Sequence, residues 1–155
     1  MMDRYLFSAI LDARAIIPSL SATTKDRALS EVSRVFASIG WDTPERLGSL
    51  FIGRERQAST SVCEGIAIPH IKWEGPFTAG LAFSHAGIEF GALDGKPVHI
   101  LFLLAAPRGR AGEHLKVMAR ISRLARDEER MARLLKESND TAAIMGIIKH
   151  LEDGL

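Results

Sequence analysis

The chain has 155 residues, a net charge of +1 and 25% charged residues; this suits one domain, 1–155, and supplies no global field for nucleic acid or an anionic membrane. Its single cysteine, Cys63, excludes an internal disulfide and a Cys-rich metal site, fits a reducing cytosol, and reads as a small apolar residue. Met1 to Ser8 lack the apolar core of a signal peptide, and no apolar run approaches the roughly 20 residues that span a bilayer, so the expectation is a cytoplasmic protein with no membrane insertion.

Thr24 predicts the cap of a helix whose apolar positions Ala28, Leu29, Val32, Val35, Phe36 and Ile39 repeat at helical spacing, with Gly40 just past its end. Thr43-Pro44 opens a second helix, with Thr as cap and Pro as first helical residue; it runs through Leu47, Leu50 and Phe51 towards Ala58, weakened by Gly48 and Gly53. Ser59 to Gly65 reads as a loop, and Ile66-Ala67-Ile68 as a strand stopped by Pro69, which leaves His70 immediately beyond a strand end. Gly75-Pro76 turns the chain into a strand over 78–83, and Asp94-Gly95-Lys96-Pro97 turns it into 98–105, a run apolar on both faces that suits a central strand.

After a loop over 107–112, Leu115, Met118, Ile121, Leu124 and Ala125 predict a helix with His114 in its first turn. Asp127 caps a short helix carrying Met131, Leu134 and Leu135, and Asn139 or Asp140 caps the last, with Ile144, Ile147, Ile148 and Leu151. Two helices, a block of strands and three helices imply an α/β fold of the α+β type, with one mixed sheet covered by helices.

The chemistry is local. Neutral imidazole, with an unperturbed pKa of about 6.5, offers a lone pair on one nitrogen and a proton on the other. Phosphoryl transfer asks for little more than such a nucleophile, one or two cations and exclusion of water. By spacing alone, though, a histidine after a strand is more often a turn residue, Arg54 a solvated helix charge and His114 a helix-surface residue.

The segment Arg54 to His70, with its Arg-Glu, Ser-Thr and Gly-Ile-Ala-Ile-Pro-His elements in order, resembles the active-site stretch of enzyme IIA domains of the fructose, mannitol and nitrogen-regulatory type in the bacterial sugar phosphotransferase system. The likeness continues through Phe90 to Pro107 and Glu113 to Ser122; where the family often has Gly after the histidine, this chain has Ile71-Lys72-Trp73. The resemblance implies about five strands flanked by helices on both sides. It implies that His70 accepts the phosphoryl group, that His114 hydrogen-bonds the acceptor or its phosphoryl oxygens, and that Arg54 offsets the phosphate charge; the guanidinium fork and the free N–H groups of a helix start suit those roles.

Ser59 and Thr60 are candidate hydroxyl donors to the phosphoryl group, with turn formation as the competing reading. No metal or organic cofactor is implied. The donor would be a histidine-containing phosphocarrier protein, or its nitrogen-branch counterpart, and the acceptor an enzyme IIB. A stand-alone chain without fused IIB or IIC portions could equally act as a phosphorylation-dependent switch on regulatory protein targets.

Nucleic-acid binding through Arg108, Arg110, Lys116, Arg120, Arg123, Arg126, Arg130 and Arg133 is the weaker reading, because Glu113, Asp127, Glu128 and Glu129 are interspersed. A zinc site is weaker still, since no histidine pair has hydrolase spacing. His85 at a turn, His99 in an apolar strand and His150 near the carboxyl end read as structural or solvated, and Glu64 as a loop charge.

Overall fold

A computed structural model describes residues 6–154; the leader reading of Met1 to Tyr5 lies outside the described residues, as does the Cys63 side chain. The elements are α1 (Phe7–Ile10), β1 (Leu11–Ile17), α2 (Lys25–Ser38), α3 (Pro44–Gln57), β2 (Ser61–Cys63), β3 (Ile66–Ala67), β4 (His70–Trp73), β5 (Thr78–Ile88), β6 (Val98–Pro107), α4 (Ala111–Ala125), α5 (Glu128–Lys136) and α6 (Thr141–Asp153). No helix among the described residues is long and apolar enough to cross a membrane.

Strand β6 organises the rest. Alternate side chains of a strand leave on opposite faces. Ile100, Phe102 and Leu104 accordingly join Val117, Ile121, Ile144 and Ile148 in one core beneath α4 and α6, with α5 closing it through Met131 and Leu134. Leu101, Leu103 and Ala105 join Leu29, Val32, Phe36, Leu47 and Phe51 in a second core beneath α2 and α3. The doubly apolar run predicted a central strand with helices on both sides, and that is what it forms.

The sheet is mixed, in the order β1-β5-β6-β3-β2, with β4 also paired to β6. Strand β6 runs antiparallel to β5 and parallel to β3 and β4. The pairings Ile66 with Ile100, Ala67 with Leu101, His70 with Leu104 and Trp73 with Pro107 keep one register. Pro69 therefore interrupts the strand without ending it. It lacks an N–H, but its carbonyl still accepts from Leu104 N–H at 3.1 Å. His70 does not sit past a strand end, as its position after Pro69 suggested; it opens β4. Counting β3 and β4 as one interrupted strand gives the five expected.

Other local departures have physical causes. The expected loop at 59–65 contains β2, a short edge strand created by antiparallel pairing with β3. Helix α1 and edge strand β1 were not foreseen; β1 pairs with β5, with Leu11 buried in the core beneath α4 and α6 and Ala15 and Ile17 in the core beneath α2 and α3, a demand that this stretch does not announce locally. Strand β5 continues past Phe83 through an irregular register to Ile88, so His85 lies in a strand rather than at a turn. Thr24 makes no side-chain cap bond to α2; its carbonyl accepts Ala28 N–H at 2.9 Å, and its extended backbone forms a parallel bridge to Glu89.

The remaining caps fall where their residues predicted. Thr43 accepts from Arg46 N–H, Asp127 from Arg130 N–H and Asp140 from Ala143 N–H.

Candidate functional site: a histidine pair at the sheet edge

Strand β4 forms part of the sheet margin, and there helices from both faces come close to each other. Ile71 and Trp73 are buried on the α2–α3 side, so by the alternation of a strand His70 and Lys72 project to the α4 side. A cleft of about 770 Å³ lies at this margin, lined by Leu50, Gly53 and Arg54 of α3, His70 and Lys72 of β4, and His114 and Leu115 of α4, among others. Two faces of the sheet thus contribute to one depression.

His70 and His114 meet edge to face, with ring centroids 5.4 Å apart and planes at 79°. His70 is half-buried and His114 buried. His70 Nδ1 lies 2.8 Å from the Ile68 carbonyl oxygen. A carbonyl oxygen only accepts, so Nδ1 carries the proton, and in the neutral ring Nε2 keeps the lone pair.

Burial, foremost, and then the charges of Arg54 and Lys72 hold the His70 pKa below its usual value, against the opposing pull of the Ile68 carbonyl and Glu55. Burial likewise lowers that of His114, helped by His70, Lys72 and Arg54. Both rings therefore favour the neutral form, in a setting whose nearby positive charge suits an arriving anion.

Of the residues singled out in the sequence, the structure brings together His70, His114 and Arg54. Arg54 spends one donor on the Ala58 carbonyl at 3.1 Å and lines the cleft with the rest of its side chain. Ser59 and Thr60 are not among the residues lining the cleft. Ser59 Oγ accepts from Ser61 N–H at 3.3 Å, and the buried Thr60 hydroxyl donates to Glu55 Oε2 at 2.7 Å. The turn-forming reading fits Ser59, and Thr60 is directed inward.

The sequence reading passed over Lys72 and Arg108 as site residues. Strand alternation from His70 would have found Lys72; Arg108 joins the rim only because β6 ends beside β4, where it pairs with Glu74 at 2.9 Å. Elsewhere in the basic stripe Arg110 pairs with Glu113 and Arg130 with Asp127, which dilutes its field. His99 donates from Nδ1 to the Ser84 carbonyl at 2.7 Å, and His85 Nε2 lies 3.0 Å from Ser138 Oγ, both within the scaffold. Among the described residues no cluster of three His, Cys, Asp or Glu is arranged to hold a metal ion.

Comparison with known proteins agrees with this geometry. The family model described as phosphoenolpyruvate-dependent sugar phosphotransferase system, EIIA 2, matches residues 9–151. A nitrogen regulatory protein of Bradyrhizobium diazoefficiens is 35% identical over 136 residues, covering 86% of this chain and 88% of that protein. The crystal structure of IIA-Ntr from Neisseria meningitidis shares the fold with a TM-score of 0.82 at 23% identity, over 91% of this chain and 97% of that one. The complex of enzyme IIAMtl with phosphorylated enzyme IIBMtl from Escherichia coli contains a chain of the same fold, with a TM-score of 0.73 at 19% identity, over 90% of this chain and 96% of that one. With the family model covering nearly the whole described structure, the chain belongs to the EIIA 2 family of the phosphoenolpyruvate-dependent sugar phosphotransferase system.

Proposed function

We infer that this protein is a cytoplasmic phosphocarrier in which His70 Nε2 takes a phosphoryl group from a histidine-containing phosphocarrier protein and passes it to an enzyme IIB. The observation that carries this reading is the Nδ1–H bond from His70 to the Ile68 carbonyl, which leaves Nε2 unprotonated in a cleft that Arg54 and Lys72 also line.

The Nε2 lone pair attacks phosphorus as the N–P bond to the donor imidazole breaks, and the bonding pair returns to the donor ring. The proton stays on His70 Nδ1, hydrogen-bonded to the Ile68 carbonyl throughout, so the phosphorylated ring is cationic and offsets part of the phosphate charge. Arg54 and Lys72 offset more of it, and His114 supplies a ring N–H to the phosphoryl oxygens. Transfer onward reverses these steps, with the acceptor side chain as the attacking group.

The second reading is a regulatory switch, in which the same phosphohistidine alters affinity for protein targets; the 35% identity to a nitrogen regulatory protein favours it. Incubation with phosphoenolpyruvate, enzyme I and the phosphocarrier protein tests the shared step. Acid-labile, base-stable label on wild type and none on His70→Ala is the expected result, and equal labelling of both would overturn it. Rapid discharge of that label to a matching enzyme IIB supports the carrier; retention of the label supports the switch.

A further inference from the structure

Glu55 occupies a position that ordinary helix energetics disfavour. It lies in the last turn of α3, where the helix dipole opposes a negative charge, and it is 4% exposed, where an ion loses its hydration. Its carboxylate is satisfied by very specific partners. Oε1 accepts the Thr60 N–H at 2.8 Å, Oε2 accepts the Thr60 hydroxyl at 2.7 Å, and Lys25 Nζ stands 3.4 Å from Oε1. Lys25 in turn lies over the Phe90 ring, 4.9 Å from its centroid. Both Thr60 donors are thereby fixed against α3.

The clamp leads to the histidine. The Thr60 carbonyl accepts Ile68 N–H at 2.9 Å, and the Ile68 carbonyl accepts His70 Nδ1–H at 2.8 Å. Between those two bonds the Ile68 side chain is fully buried, and Pro69 follows with its φ fixed by the ring. The Ile68 carbonyl has little freedom to turn away from the imidazole.

We propose that Glu55 and Thr60 are positioning residues for phosphoryl transfer: their carboxylate–hydroxyl clamp fixes Ile68, which holds His70 in the Nδ1–H tautomer with Nε2 facing the cleft. This rests on His70 being the phosphoryl acceptor. The clamp gives the inward-turned Thr60 a part in the reaction without contact to phosphate. Misplacement of a nucleophile by about 1 Å can cost on the order of a hundredfold in rate, so a hydrogen-bonded strut behind the histidine is worth a buried carboxylate.

The test compares wild type with Thr60→Val, which removes the hydroxyl at constant shape, Thr60→Ser, which restores it, and Glu55→Gln, which keeps one acceptor oxygen. Nitrogen-15 NMR of the His70 ring reads the tautomer, and the initial labelling rate reads transfer. A single Nδ1–H tautomer is expected in wild type and Thr60→Ser; mixed tautomers and a labelling rate lower by about tenfold or more are expected in Thr60→Val and Glu55→Gln. If Thr60→Val fails to fold, Glu55→Gln carries the comparison. An unchanged tautomer in the folded variants overturns the proposal, whether or not their melting temperatures fall. Absence of label on wild type would count against the phosphocarrier reading alone, since the tautomer measurement does not depend on phosphorylation.

Discussion

The imidazole of His114, in the first turn of α4, stands edge to face against that of His70 in β4, 5.4 Å between centroids, although the two residues lie far apart in the sequence. This contact puts a second imidazole beside the first. Replacing His114 with Ala should leave the fold intact and slow labelling of His70 by roughly ten- to a thousandfold, the range for loss of one charge-stabilising donor. Stopped-time labelling with the melting temperature measured in parallel checks it, and an unchanged rate would remove His114 from the mechanism.

The pH dependence follows from the same site. Burial first, then Arg54 and Lys72, hold the His70 pKa below 6.5, so Nε2 stays unprotonated as pH falls through that value and labelling should decline only below it. Lys72→Met or Arg54→Met removes a charge that lowers the pKa and should move the acidic limb to higher pH, besides slowing transfer. Stability carries the same sign: below 6.5 the unfolded ring takes up a proton that the folded ring resists, so this contribution is fully present above 6.5 and is lost as pH falls towards the folded pKa. Rate–pH profiles of the three proteins decide it, and coincident acidic limbs would contradict the assignment.

Leu115 is 71% exposed and lines the cleft beside Leu50 and Met118. On the phosphocarrier reading proposed above, we assign it to contact with an incoming protein rather than to chemistry. Leu115→Asp should raise KM for the protein donor by about five- to tenfold and leave kcat within about twofold, as expected for loss of binding common to ground and transition states. A drop in kcat at constant KM would place Leu115 elsewhere in the cycle.

Two glycines separate packing from propensity. A Cβ on Gly80 of β5 would lie 2.5 Å from Phe36 Cζ and 2.8 Å from the Ala15 carbonyl oxygen, so Gly80→Ala should cost about 1–3 kcal/mol. Gly146 in α6 has nothing within 4 Å of such a carbon, and Gly146→Ala should stabilise by about 0.5–1 kcal/mol. Urea denaturation midpoints measure both, with opposite signs expected.

The sequence by itself determined the parts of this protein that depend on local periodicity and on short signatures. Helices α2, α4, α5 and α6 were legible in their apolar spacing, α3 in Thr43-Pro44 and β6 in its unbroken apolar run. His70, Arg54 and His114 were legible as candidate site residues only through likeness to a family, because their own spacing carries no such information. Only the tertiary structure decided what depends on distant partners. Register against β6 carries the strand across Pro69 and so turns Lys72 to the same side as His70. The buried carboxylate of Glu55 draws the Thr60 hydroxyl inward, where a reading of side-chain chemistry alone had offered it to phosphate. A residue's type fixes which bonds it can make; which of them it makes depends on the groups that folding brings within about 3 Å.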